Sequence, residues 1–341
     1  MANPAPNPGM TPAERIRLYR TRAGLTQEQA AQLKGCSVHT WRKWESGERE
    51  VHSLGDWIEI ARILRVRDLY RLTGLPVGEL PDEPPEHPDI PKIRSALHAY
   101  QPAPPNGPNV DRLAATTEFA WGSWHGSRQR YSRTSPMLPD LIIETRGALT
   151  ALTGDEKRRA QYVAASVWLL VRAFARRVGA YDLSMLAADR AAVAAEATDR
   201  PEIRAAAAWN MGAVLSAAGY PDESAQLCRD AIADLQSRPD PDERVLALLG
   251  SLYLLLSVQA ARAREERWAR EYLDHAGRLA GSTGETNVHR LVFGPANVGI
   301  HTASVELELS RPAEALRVAE RVDVAGLPSI ERRHSHYVGL A

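Results

Sequence analysis

The sequence predicts an all-α chain in two helical parts, and three observations carry that expectation. Residues Leu25 to Gly47 scan as two short helices joined by a tight turn. Ten prolines then crowd the segment from Leu75 to Pro108, where a long helix cannot run. From Val110 onward apolar and small residues recur at helical spacing, in segments that pair across glycine-marked turns.

The first part opens with a Pro- and Asn-rich arm over residues 1–10. Thr11, Pro12 and Glu14 supply a cap, a proline at the first helical position and a capping-box acid. Ile16 and Tyr19 are expected to face the core. Thr26 caps the next helix with Gln29 three residues on, and Gly35-Cys36-Ser37 breaks the pattern. Ser37 caps a helix from Val38 to about Ser46, and Gly47 stands where a left-handed residue ends a helix. Trp41 and Trp44 share one side of that helix, while His39, Arg42 and Lys43 fall mostly on the other. One aromatic face backing one basic face is a shape that a major groove can receive. The next helix carries Leu54, Trp57, Ile60, Ala61 and Leu64 at three- and four-residue steps.

On Arg20, the Gly24-Leu25-Thr26-Gln27 run and the Trp44-Glu45-x-Gly47 run, residues 11–74 resemble the Xre/Cro/C1 family of helix-turn-helix domains. The resemblance implies a five-helix, lambda-repressor-like domain that binds double-stranded DNA. It implies a structural ion pair between Arg20 and Glu45. It places base readers at Val38, His39 and Lys43, with Arg42 beside them and Gln27 on the phosphate backbone. The candidate DNA-contacting set is therefore Gln27, Ser37, Val38, His39, Thr40, Arg42 and Lys43. Two departures stand out. Lys34 occupies a position that the family fills with an apolar residue, so a small rotation bringing Leu33 inward is expected. Trp41 replaces a smaller aliphatic residue.

The whole chain of 341 residues has zero formal net charge, which argues against a general polyanion binder. Its first 76 residues hold twelve Lys or Arg against eight Asp or Glu, so the basic excess sits on the part that reads as DNA-binding. Cys36 and Cys228 fall in different parts, which argues against a disulfide framework or a zinc site. The N-terminus lacks the basic and apolar regions of a signal peptide. The run Val245 to Ala261 is interrupted by Gly250, Ser251, Ser257 and Gln259, and reads as a buried helix and not a membrane span. A soluble, cytoplasmic protein is expected.

Residues 75–109 read as a Pro-rich linker in which Ile90 to Tyr100 alone could form a short helix. Residues 110–341 follow as helices: Asp111–Gly126, Leu138–Leu152, Asp155–Val178, Asp182–Thr198, Pro201–Ala218 and Pro221–Leu235. In the last pair Met211, Gly212, Leu215, Gly219, Ser224, Cys228 and Ala231 sit at the offsets of a tetratricopeptide repeat, and this second part resembles that family. Small residues recur around Ala187 and Ala194, around Ala269, Leu273 and Ala276, and around Ala315 and Ala319. Taking Ala187, Ser224, Ala269 and Ala315 as equivalents gives spacings of 37, 45 and 46 residues. The expectation is an α-solenoid of stacked helix pairs around a concave groove.

Taken whole, the chain resembles bacterial Xre-type regulators that join a helix-turn-helix to a tetratricopeptide-like sensor and dimerisation domain. The run Phe293-Gly294-Pro295-x-Asn297-Val298-x-Ile300-His301 resembles a segment of actinobacterial-type members. The sequence ends soon after Pro328, so a shortened solenoid or a cap from a second subunit is expected. The resemblance implies a homodimer and a peptide or small-molecule effector in the groove, with Asn210, Asn287, Arg290, Asn297 and His301 as candidate ligand residues. Asn287 and Asn297 are also ordinary turn residues.

No phosphate loop, nucleophile elbow or His-Glu-x-x-His appears, and His334 and His336 have no partner at ligand spacing. The expectation is no enzyme, no cofactor and no metal. A sequence-specific transcriptional regulator is the leading reading. The alternative is a protein-interaction adaptor in which DNA binding is secondary.

Overall fold

The computed structural model describes residues 10–51, 53–66, 69–74, 86–99 and 107–340. The expected arm, apart from Met10, and residues 75–85 and 100–106 of the expected linker lie outside the described residues. The chain divides into two compact units, Met1–Pro85 and Glu86–Ala341. The described elements are helical, apart from one isolated bridge between Thr286 and Phe293.

The first unit contains α1 (Pro12–Arg22), α2 (Gln27–Lys34), α3 (Val38–Ser46), α4 (Leu54–Ile63) and the single turn α5 (Tyr70–Thr73). Both capping boxes form: Thr11 with Glu14, and Thr26 with Gln29. Gly35 and Gly47 end α2 and α3 in the left-handed conformation, at φ 70° and 78°. Ile16, Tyr19, Trp41, Trp44, Ile60, Leu69 and Leu72 build one core. Arg15, which the sequence does not single out, ties the ends of the unit together. Its Nε donates to the Met10 carbonyl at 3.0 Å and its Nη1 to the Tyr70 carbonyl at 3.0 Å.

The expected rotation at Lys34 does not occur. Leu33 is 62 % exposed, and Lys34 itself turns inward. Its ammonium bonds Asp56 at 2.9 Å and Glu59 at 2.6 Å, both on α4, so the charge is answered without moving the helix. Those carboxylates stay partly solvated, and the pair is worth little net. Lys34→Leu is expected to change stability by less than about 1 kcal/mol. Neutralising both acids, with Asp56→Asn and Glu59→Gln, strands the tucked ammonium and lowers the melting temperature further than Lys34→Leu does. The reverse order in a thermal melt would refute this account.

In the second unit α6 (Ile90–His98) is not a spacer. Ile90, Ile93 and Leu97 are fully buried against later helices, and Arg146 donates to the Leu97 carbonyl at 2.8 Å. Proline density in the sequence hides this: only the stretch between the prolines is helical, and its apolar face is core. There follow α7 (Val110–Gly126), the short α8 (Arg130–Thr134) and α9 (Leu138–Ala151). Helix pairs come next: α10 (Gly154–Arg177) with α11 (Tyr181–Glu196), α12 (Pro201–Ala217) with α13 (Pro221–Gln236), α14 (Glu243–Arg262) with α15 (Glu266–Thr283), and α16 (Pro295–Glu308) with α17 (Pro312–Glu320). The last helix, α18 (Ile330–Leu340), packs back on α7.

Every pair turns over three residues, and the middle one is left-handed: Gly179, Gly219, Arg264 and Ser310. The residue after it donates to a carbonyl five positions back in all four turns, as in Ala180 to Ala175 and Glu265 to Ala260. These turns recur at spacings of 40, 45 and 46 residues. The repeat register therefore pairs Ser184, and not Ala187, with Ser224. The two serines act alike. Ser184 Oγ donates to the Arg172 carbonyl and Ser224 Oγ to the Gly212 carbonyl, each twelve residues earlier on the partner helix. The second part is thus a tetratricopeptide-like stack of helix pairs. Among the described residues α14 alone is long and apolar enough to cross a membrane, and most of it is buried inside the unit.

Candidate functional site

Glu45 organises the α3 side of the first unit. Its carboxylate accepts from Arg20 Nε at 2.6 Å and Nη2 at 3.1 Å, from Gln27 Nε2 at 2.8 Å and from Trp41 Nε1 at 2.7 Å. Arg20 Nη1 also donates to the Leu25 carbonyl at 2.6 Å. Burial pushes the Glu45 carboxyl up, but the bonds from Arg20, Gln27 and Trp41 outweigh it and hold the group below its usual value. The Arg20–Glu45 pair that the resemblance implies is present and joins α1 to α3.

This network turns α3 in one direction. Trp41 is fully buried and meets Trp44 edge-to-face, with ring centroids 5.8 Å apart. His39 and Arg42 are exposed, and Lys43 and Thr40 are half-buried. The remaining candidates are less available than their positions imply. Val38 packs on the core with part of its surface open. The Ser37 hydroxyl accepts from the Thr40 amide at 3.1 Å and bonds the Thr40 hydroxyl at 2.9 Å, so both serve the cap of α3. The side chain of Gln27 is occupied at both ends, because its Oε1 accepts from Arg42 Nε at 3.3 Å. Arg42 also reaches Glu28 at 3.1 Å. That pair is solvent-exposed, so Arg42 can exchange it for a phosphate at little cost.

In the second unit a cavity of about 510 Å³ gathers Asn210, Arg290, Asn297 and His301. Asn287 lines a neighbouring cavity of about 450 Å³, which shares Arg290 and Trp121 with the first. The asparagines are committed to backbone: Asn210 Nδ2 donates to the Ala206 carbonyl and Asn297 Nδ2 to the Val292 carbonyl, both at 2.8 Å. Arg332 of α18 donates to Asn297 Oδ1 at 2.7 Å and lies 3.2 Å from His301 Nδ1. Burial, with Arg332 adding to it, pushes the His301 imidazole down to about 3, so it is neutral. Arg290 pairs with Glu118 and lies over the Trp121 ring.

The loop carrying Asn287 and Arg290 is strained. His289, Arg290 and Val292 all hold left-handed φ values, of 49°, 65° and 49°, and a β-branched valine rarely does so. What holds it is Phe293, 1 % exposed, whose ring packs on the backbone of α14 at Gly250. Trp121, Trp124, Trp209 and Arg172 also line the larger cavity, and none of them is a candidate ligand residue on the sequence. Their pattern is that of ordinary core or solvated helix faces, and no local signal marks them. Among the described residues no group of three His, Cys, Asp or Glu could hold a metal ion.

Comparison with known proteins bears on the first unit. No curated protein matches the chain. The crystal structure of Bacillus thuringiensis PlcR in complex with the peptide PapR7 and DNA is similar at a TM-score of 0.41 and 11 % identity, over 97 % of this chain and 99 % of that one. A likeness that distant leaves this chain's ligand open. Residues 13–71 match the family model described as a helix-turn-helix domain, from the second residue of α1 to the middle of α5. By that match and by its capped, tryptophan-backed third helix, the first unit is a helix-turn-helix domain.

Proposed function

We propose that the protein is a sequence-specific DNA-binding transcriptional regulator of Xre type, acting in the cytoplasm as a homodimer. The observation that carries this reading is the orientation of α3, with Trp41, Trp44 and Glu45 buried and His39 and Arg42 turned to solvent. Two such helices would enter successive major grooves about 34 Å apart. His39 and Lys43 would meet base edges, Arg42 would hold a phosphate, and the Val38 methyls would touch a thymine methyl at the groove edge. Gln27 is better suited to positioning α3 through Glu45 than to gripping phosphate with its side chain. The helix-pair unit would sense a peptide or small molecule, supply the dimer contact, and shift operator affinity by biasing the population of binding-competent dimers.

Selection of bound sequences from randomised duplexes tests this directly. The full chain is expected to return one inverted-repeat consensus, with affinity falling steeply as salt rises. Lys43→Ala is expected to weaken the preference at one position by about 1–3 kcal/mol, and His39→Ala to relax a neighbouring one. Arg42→Ala should weaken all sequences alike. An adaptor would show no consensus and little salt dependence, and that result would overturn the proposal.

A further inference from the structure

The larger cavity of the second unit holds more arginine than its carboxylates can answer. Arg172, Arg176, Arg177, Arg262, Arg290 and Arg332 line it. Arg177 pairs with Glu331, Arg262 with Glu308 at 2.8 Å, and Arg290 with Glu118. Among the described residues no ion pair reaches Arg172, Arg176 or Arg332. Arg332 is satisfied by Asn297 and His301, as described above.

Arg172 is different. It is 7 % exposed, its Nη2 makes one long bond of 3.3 Å to the Asn210 carbonyl, and its Nε has no partner. Burial, and then the neighbouring Arg176 and Arg177, disfavour its charged form. Arg176 sits one turn along the same face of α10 and is open to solvent. Across the cavity His125 Nε2 is also buried without a partner, while its Nδ1 bonds Ser329 at 3.1 Å and its ring stacks on Trp121 at 5.3 Å. Arg172 lies over the Trp209 ring, 5.8 Å from its centroid. A fully structural guanidinium at this depth is normally paired, because an unanswered buried charge is destabilising. Two buried nitrogens without a protein partner, beside flat apolar walls in a space of small-molecule size, mark a candidate ligand site.

We propose that this cavity binds a small organic anion, whose carboxylate or phosphate group is held by Arg172 and Arg176 and whose flat apolar body lies among Trp121, Trp124 and Trp209. His125 Nε2 donates a further hydrogen bond to it. The assignment deepens the ligand-sensing part of the function proposed above by naming the chemical class of the effector. It places the charge on α10 and not on the asparagines, whose amides are already committed.

Calorimetric titration of the full chain with phenylacetate, phenyl phosphate and neutral phenylacetamide tests it. At least one of the two anions is expected to bind saturably, and phenylacetamide at least about tenfold more weakly. Whichever anion binds tighter identifies the headgroup. Arg172→Met is expected to raise the Kd for that anion about tenfold or more, to leave phenylacetamide unchanged, and to raise the melting temperature of the ligand-free chain. A guanidinium that only supports the fold would do the opposite, lowering the melting temperature with no selective loss of the anion. Arg176→Gln, at an exposed position, should weaken the anion without touching the fold. Equal binding of acid and amide, binding of neither anion, or an anion affinity indifferent to both variants would overturn the proposal. Any of these failures leaves the duplex selection as it stands, because that readout belongs to the first unit.

Discussion

Replacing Glu45 with alanine is expected to cost the first unit about 3–5 kcal/mol, because it strands the Arg20 guanidinium and the Trp41 indole N–H in the interior. Hydrogen exchange over α1 to α4 is the localised measurement, and protection there should fall by roughly two orders of magnitude or more. A loss smaller than about tenfold would mean that the network merely decorates α3. Glu45→Gln keeps the shape but not the charge, and should fall between the two. The same carboxylate predicts the response to acid. Its folded-state value lies below the usual 4.5, so its contribution is fully present above that pH and is lost as pH falls through the depressed value. DNA binding should fail with the fold in that acid window, since the orientation of α3 depends on the same four bonds.

Gly250→Ala is expected to have the second large effect, and to act at a distance. A β-carbon there would stand 2.0 Å from Phe293 Cζ and 2.4 Å from Cε2, so the ring must leave its place on α14. Overpacking of this kind costs about 1–3 kcal/mol, with more to come if the Thr286–Phe293 bridge opens. The strained stretch from His289 to Val292 then loses its anchor and should relax out of the left-handed region, carrying Arg290 away from Glu118 and Trp121. Phe293→Ala alone leaves a cavity and costs about 3–5 kcal/mol. Added to Gly250→Ala it should cost less than the sum, because it removes the ring with which the new β-carbon would clash. Additive losses in thermal melts of the single and double variants would separate Gly250 from Phe293 and sink this account.

The first unit was largely legible in the sequence because its signals are local. Thr11 with Glu14, Thr26 with Gln29, and Gly35 and Gly47 act within one turn of themselves, and the spacing of Trp41 and Trp44 fixes the buried side of α3. Arg15 escaped notice because its partner carbonyl, that of Tyr70, is 55 residues away. Lys34 was misjudged because periodicity counts a lysine as surface, whereas two acids on α4 allow it inside. In the second unit the paired turns were visible at Gly219. Arg264 and Ser310 hid the same turn behind residues that seldom take a left-handed φ, and the register at Ser184 slipped by three. The arginine cavity was invisible for a further reason. Arg172, Arg262, Arg290 and Arg332 come from widely separated positions, and each alone is an ordinary charged residue on a helix or loop.

The hydroxyl bond that joins each of the first two helix pairs has a consequence of its own. It holds a backbone carbonyl, at Arg172 in one pair and Gly212 in the next, so it is indifferent to the side chain mounted there. In the second pair a β-carbon at that position would stand 3.2 Å from Cys228 Sγ and 3.2 Å from Leu255 Cδ2, so any larger residue needs its neighbours to give way by a few tenths of an ångström. The matching residue in the first pair is Ala188, smaller by one sulfur atom. The same clamp thus holds an arginine's carbonyl in one module and a glycine's in the other. In a stack built this way the side chain mounted at that carbonyl can differ from module to module while the hydroxyl bond between the two helices stays the same.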